Sequence, residues 1–418
     1  MAHEFYIAKR MKLSTNAAKQ GSPSLQVALV GIVLAIVIMI LSIVIVTGFK
    51  GEIVGKIYNL DAQLAVTNAV LGIDENYSTV NGREVIGAMQ DNPNFMQRVA
   101  SASLIADQPV VLKTENDFMG IRYRGIDSGY DFTYLDKALI EGAIPNVSDT
   151  AISNEIIISS YVANRLQLHA GDKVPAYFID NTLKVRNLQI AGVFSTDLEA
   201  FDHAYVLGNI RLVQQINGWN DDTGSLVAVN MKKNDALDND AYDLYTLLAA
   251  ATVQHEGATL YAVSTTQQRN SAYFAWLNML DMNVVIILAL MIVVAAFTLI
   301  SAMLMIVLER IRFIGMFKAM GATNGSIRRI FIYLTGKLII KALVLGNIIG
   351  IGLALLQQHF HIIKLDPSTY YMSYVPIHIS IPALLLLNAG IVVVSYLTLL
   401  GASHIISTIK PTATMRFE

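Results

Sequence analysis

The sequence predicts an α-helical membrane protein with four transmembrane helices and a large α+β extracytoplasmic domain between the first and second. Three observations carry this. Of 418 residues, 54% are hydrophobic and only 15% charged, with a mean hydropathy of +0.49, which is too apolar for a soluble chain of this length. Four apolar runs are each long enough to cross roughly 30 Å of hydrocarbon. Between the first two runs, residues 49–272 hold most of the Asp, Asn and Thr and no comparable run.

Residues 1–24 carry Lys9, Arg10, Lys12 and Lys19 against Glu4, and FYIAKRMK reads as an amphipathic elbow on the inner leaflet. Residues 25–48 form the first span, uninterrupted from Leu25 to Val46 and lacking a signal-peptide cleavage site. In 49–272, alternation at Ala62–Thr67, Lys184–Val193 and Leu226–Val229 predicts strands, and Glu155–Ile158 reads as a further strand. Helical spacing appears at Arg83–Met89, Ser159–Leu168, Asn209–Ile216 and Asp240–Ala250. The domain is thus α+β, in one or two subdomains.

Residues 273–308 hold the second span and a stalk, because Met282–Leu308 exceeds what one crossing needs; Tyr273 and Trp276 fit an aromatic belt. Residues 309–331 are a cytoplasmic loop in which Arg310, Arg312, Lys318, Arg328 and Arg329 face one acid, Glu309. Within it Ile311, Ile314, Met316, Phe317 and Met320 recur at helical spacing up to Gly321, a helix stop, and Thr323 or Asn324 can cap a second helix. The third span is 332–356. Residues 357–378 form a periplasmic loop with His359, His361 and Lys364, and 379–402 the fourth span, with Ser380 as N-cap and Pro382 in its first turn. Residues 403–418 are a cytoplasmic tail, so both termini lie inside.

Several functions are excluded. Without cysteine there is no disulfide, thiolate metal site or thiol nucleophile. Gly336-Lys337 is followed by Leu338, so there is no P-loop. His359 and His361 lack further ligands at motif spacing, and no metal site is expected. No nucleophile motif is present, and the chain is expected not to be an enzyme. Lys337 and Lys341 lie close enough to the basic loop to snorkel or to pair with Glu309. Asn347 and Asn388 suggest an interhelical hydrogen bond, and Gly346, Gly350 and Gly352 a small-residue face for close helix approach.

Glu309–Thr323, ERIRFIGMFKAMGAT, resembles the signature loop of FtsX-like permeases, of the type E-K-R-R-E-I-G-I-L-R-A-L-G-A-T, with Ile311 and Phe313 at charged positions of the pattern. Phe5–Met11, Val46–Leu60, Leu168–Val174, Asp366–Ile377 and Lys410–Glu418 resemble further segments of LolC/LolE-type permeases of the lipoprotein-releasing system. The resemblance implies the type VII, MacB-like ABC permease architecture in the bacterial inner membrane. It implies an ATPase-coupling role for Arg310, Arg312, Met316, Phe317, Lys318, Gly321, Ala322 and Thr323. It also implies a lipid-anchor cavity between the first and second spans, for which Ile36, Met39, Ile40, Ile43, Val285, Leu288 and Ile292 are candidates. The implied partners are an ABC ATPase dimer, a second permease subunit (homo- or heterodimer), the lipoprotein substrate, membrane lipids and a periplasmic carrier; no nucleic acid is expected. This chain would bind no cofactor, ATP and Mg belonging to the partner ATPase.

One departure concerns Val174–Val193, a short strand-turn-strand where carrier-binding members have a longer Pro-rich hook; here only Ile179–Thr182 is left for it. Two other functions stay open: a MacB-like efflux permease, which usually carries a fused ATPase, and an FtsX-like mechanotransmitter activating a periplasmic hydrolase, which usually has a smaller outer domain.

Overall fold

The computed structural model describes residues 23–69, 79–148, 151–179, 183–253 and 259–403, so the N-terminal elbow and nearly all of the C-terminal tail lie outside the described residues. The chain forms two compact units. One takes the chain up to Glu52, Ala275–Lys364 and the chain from Tyr374 on; the other takes Ile53–Phe274 and Leu365–Ser373.

The first helix, α1 (Pro23–Leu60), does not stop at residue 48 as the apolar run suggested, but continues twelve residues further. The reason is a second apolar stripe at helical spacing: Ile53, Ile57 and Leu60 are all buried in the domain. The domain then runs β1 (Leu64–Asn68), β2 (Val80–Asn81), α2 (Gly82–Gln90), β3 (Val99–Lys113), β4 (Phe118–Ile126), β5 (Leu139–Gly142), β6 (Glu155–Ser159), α3 (Ser160–Leu166), β7 (Lys173–Ile179) and β8 (Leu183–Phe194). It ends with β9 (Tyr205–Asn209), α4 (Ile210–Asn217), β10 (Thr223–Gly224), β11 (Leu226–Met231), α5 (Leu237–Val253) and β12 (Tyr261–Thr265).

Ten strands make one sheet that closes on itself. β3 pairs β4, β4 pairs β9, β9 pairs β6, β6 pairs β8, β8 pairs β7, and β7 returns to β3. The length of β3 makes this closure possible: along one edge it pairs with β11 in its first half and with β7 in its second. Tyr123 and Phe178 meet edge-to-face in the core at 5.5 Å, and the buried Tyr123 hydroxyl donates to the Asn209 carbonyl at 3.1 Å. From β3 the sheet continues through β11 and β1 to β12. Ile179 pairs directly with Leu183, so the β7–β8 hairpin closes tightly; residues 180–182 lie outside the described residues.

Caps fix the helix starts. The Ser159 hydroxyl accepts from the Val162 N–H at the head of α3, and Asn209 accepts from the Arg211 N–H at the head of α4. Asp202 is a buried carboxyl that accepts from the Thr196 hydroxyl at 2.7 Å and from its N–H at 3.2 Å. Burial, reinforced by Asp197, pushes its pKa up to about 6 from 3.8 despite those bonds.

In the other unit, α6 (Ser271–Glu309), α7 (Ile311–Ala319), α8 (Asn324–Phe360) and α9 (Ile381–Ala402) follow in order. With α1, the helices α6, α8 and α9 are long and apolar enough to cross a membrane. At 39 residues α6 is one rod of about 58 Å, with no break where stalk would meet span. α8 begins eight residues before the predicted third span and ends four after it. Ser380 occupies the N-cap position of α9 but makes no side-chain cap, and Pro382 lies in the first turn.

The seam between α1 and α8 rests on two glycines. A Cβ at Gly346 would lie 2.7 Å from Ile36, and one at Gly350 would lie 3.1 Å from Ile40. Gly352, grouped with them by sequence, faces open space and does not belong to this seam. Asn347 and Asn388 exchange amide hydrogen bonds of 2.7 and 3.1 Å between α8 and α9, which satisfies both in an apolar surrounding.

Two predictions follow from this packing. Gly346→Val is expected to destabilise the detergent-solubilised chain by about 1–3 kcal/mol through overpacking, while Gly352→Val leaves the melting temperature within a degree or two; thermal unfolding of both variants checks it. For Asp202, the folded pKa lies above the unfolded value, so its contribution to stability is fully present below about 3.8 and is lost as pH rises through about 6. Asp202→Asn is therefore expected to gain melting temperature relative to the unaltered chain between pH 5 and 7, and a constant difference would contradict the assignment.

Candidate coupling site

The basic segment between α6 and α8 folds as a short helix with two distinct sides. Ile314 is fully buried and Gly315 is buried, while Phe317 and Ala322 pack partly against the same apolar cluster. Met316 is 52% exposed and Met320 76% exposed, with exposed Ala319 between them. The periodic residues that read as one stripe in the sequence are thus divided: Ile314 and Phe317 hold the helix down, and Met316 and Met320 point away. Phe313 stacks on Phe317 at 4.3 Å, which gives the apolar residue at this departure from the family pattern a packing role.

The end of α7 is set by its backbone. Gly321 has φ +88, the left-handed region that a side chain rarely tolerates. The Gly321 N–H donates to the Lys318 carbonyl at 3.1 Å and the Ala322 N–H to the Phe317 carbonyl at 2.9 Å, the paired bonds of a Schellman ending. Thr323 then caps α8 by accepting from the Ser326 N–H at 3.3 Å. Helix, stop and restart fit into a few residues, so α7 is held at a fixed angle to α8.

The other candidate residues fall as follows. Arg310 is half-buried at the N-cap of α7, Arg312 lies in its first turn, and Lys318 lies in its last turn, where a cation suits the helix dipole. Arg328 turns inward: its guanidinium donates to the Ser403 hydroxyl at 2.8 Å and the Leu400 carbonyl at 2.9 Å, at the end of α9. It serves the bundle as well as the positive charge of the loop.

The residues proposed for a lipid-anchor cavity are not one group. Ile36, Met39 and Ile40 are buried in the core of the helical unit, Ile36 and Ile40 against the glycines of α8. Val285 is exposed, and Ile43, Leu288 and Ile292 are half-buried. α1 and α6 are tied within their unit by Lys50 and Asp281 at 2.6 Å and by Phe49 against Trp276 at 5.9 Å, a pairing that no motif announced. No group of residues able to hold a metal ion is found among the described residues.

Residues 285–411 match the family model of the FtsX-like permease C-terminal domain. The chain is 21% identical over 408 residues to the lipoprotein-releasing system transmembrane protein LolC of Xylella fastidiosa strain Temecula1, covering 94% of this chain and 93% of that protein. It is 21% identical over 415 residues to the protein of the same name from Neisseria meningitidis serogroup B, covering 94% of both. Among solved structures, the extracellular domain of the transporter YknZ aligns with 16% identity and a TM-score of 0.35, over 49% of this chain and 99% of that one. The periplasmic region of MacB from Actinobacillus actinomycetemcomitans aligns with 12% identity and a TM-score of 0.35, over 52% and 95%.

Four apolar helices, a β-rich domain between the first and second, and a region matching the FtsX-like permease C-terminal domain are together consistent with the layout of a multi-pass type VII ABC permease. Within that class the chain resembles LolC/LolE-type permeases along nearly its whole length.

The loop's geometry sets a first test. Gly321→Val forces a β-branched residue into a left-handed conformation and is expected to cost about 1–2 kcal/mol locally, seen as faster amide exchange at the end of α7; Gly321→Asn is expected to be milder. Equal exchange in both variants would remove the constraint assigned to this residue.

Proposed function

We propose that the chain is a non-catalytic permease subunit that extracts lipoproteins from the outer leaflet of the bacterial inner membrane for transfer to the outer membrane. A separate ABC ATPase dimer, carrying ATP and Mg, would drive it through α7. The observation that carries the coupling role is the two-sided helix: it is fastened by Ile314, stopped by Gly321, and presents Met316 and Met320 outward. An exposed methionine pair suits docking, because a flexible thioether side chain adapts to an apolar groove, and a rigidly capped helix transmits displacement instead of absorbing it. The lipoprotein cargo is supported by the likeness to proteins named for lipoprotein release.

In this reading both termini and α7 are cytoplasmic, since Arg310, Arg312, Lys318, Arg328 and Arg329 outnumber Glu309. A second permease, identical or different, would complete the assembly and face the apolar surface of α6. Of the suggested cavity residues, Ile43, Val285, Leu288 and Ile292 remain available to an acyl chain. The short β7–β8 hairpin suits a subunit that does not itself grip a periplasmic carrier through a hook.

The test is a nanodisc pull-down of the tagged chain with mass spectrometry of what accompanies it. An ABC ATPase with acylated lipoproteins is the expected result; an ATPase with a cell-wall hydrolase would indicate a mechanotransmitter, and absence of an ATPase would overturn the reading. Met316→Asp with Met320→Asp is expected to reduce ATPase recovery at least about tenfold, and Arg312→Glu to uncouple hydrolysis from release, both with the melting of the outer domain unchanged.

A further inference from the structure

Four residues other than glycine have a left-handed backbone among those described: Gln167, Asp197, His361 and Tyr371. Gln167 and His361 end helices, where this conformation is ordinary. Asp197 (φ +57) ends none, Tyr371 (φ +60) follows the single-turn helix Pro367–Tyr370, and in sequence the two are 174 residues apart. Both meet the same side chain. Lys56, on the extension of α1, is 7% exposed; its ammonium donates to the Thr196 carbonyl at 2.9 Å and the Tyr371 carbonyl at 2.9 Å, and lies 3.5 Å from the Asp197 carboxylate. The ammonium thus makes two hydrogen bonds to backbone carbonyls and one ion pair.

Each acceptor is itself held in place. Thr196 is fixed by Asp202, and its hydroxyl accepts from the Leu198 N–H at 3.1 Å. The Tyr371 segment folds back through Leu365 N–H to the Ser373 carbonyl at 3.0 Å and Tyr371 N–H to the Pro367 carbonyl at 2.9 Å, with Met372 buried beneath. It packs with the domain although its neighbours on either side belong to the helical unit. In those neighbours the connection touches α1 again: the Thr47 hydroxyl donates to the His378 carbonyl at 3.1 Å, and the His378 N–H donates to Val44 at 3.2 Å. Beside Lys56, the end of α1 is bound to the start of α6, since Asp61 accepts from Arg269 at 3.2 Å and Asn270 at 2.9 Å.

We infer that Lys56 is a latch through which α1 holds the 365–373 segment and the 196–198 turn together, so that a shift or rotation of α1 withdraws the ammonium and releases both. A left-handed residue other than glycine persists where its surroundings over-determine it, and here one cation binds beside two such residues from distant parts of the chain. The helix bearing the cation, Pro23–Leu60, also contains the first span. The device depends on no particular cargo, and its test needs neither ATPase nor lipoprotein.

Hydrogen exchange on the full chain in nanodiscs decides the matter. Lys56→Met is expected to speed exchange about tenfold at both Leu365 and Leu198, leaving the amides of β4 and β9 unchanged, and Lys56→Arg is expected to keep most of the protection. Because Lys56→Met could unfold the domain, a second comparison leaves Lys56 intact: Tyr371→Gly and Tyr371→Ala both lack the ring, but only glycine accepts the left-handed conformation freely. The Leu365 amide is expected to exchange about tenfold more slowly in the glycine variant. Equal rates in glycine and alanine, or loss of protection at only one of Leu365 and Leu198 in a folded Lys56→Met chain, would overturn the latch.

Discussion

The rest of the structure depends on the continuity of α1. Inside hydrocarbon a backbone must satisfy its own polar groups, which a helix does internally, and α1 keeps doing so to Leu60. On one face it is buried against α8 through Ile36 and Ile40; further along, another face is buried in the domain through Ile53 and Ile57. A single hydrogen-bonded rod thus belongs to two packed units. Glycines at 48, 51 and 55 would weaken it in isolation, since glycine costs roughly 1 kcal/mol against alanine in a helix. The apolar stripe in the same stretch offsets this.

The domain is built for resistance to deformation. A ring of six strands has no free edge within the ring, and its interior is filled by Tyr123, Phe178 and their neighbours. Buried charges are matched: Arg124 forms a two-toothed pair with Asp107 at 2.9 Å and lies 3.9 Å over the Tyr205 ring. At its entry the 365–373 segment meets α1 at Lys56, and Asp61, just after α1, accepts from Arg269, just before α6.

At the other end of the chain, α7 uses different physics. It is too short to be stable alone, and its position comes from Ile314 and Phe317 below, the backbone ending at Gly321, and the restart at Thr323. Its outer surface is therefore free to be apolar. Met316 and Met320 contribute little to folding where they stand, a pattern that fits contact with a partner.

Much of this was legible in the chain itself. Spans are decided by unbroken apolar length, the ends of α7 and the start of α8 by glycine and threonine, and strands such as Leu183–Phe194 by local alternation; all are short-range effects. β3 was missed because it serves two neighbours along one edge and is buried on both faces from Ser103 to Ala106, which erases the alternation. The same holds for the cavity residues and the coupling stripe: sequence identified them as apolar, but whether an apolar side chain meets lipid, a partner or a glycine on the next helix depends on contacts distant in sequence. The sequence by itself determined what must leave water and where helices stop. Only the tertiary structure decided that Lys56 would be buried and that residues from positions 196 and 371 would meet it, because such pairings arise from closure of the whole chain and leave no periodic trace.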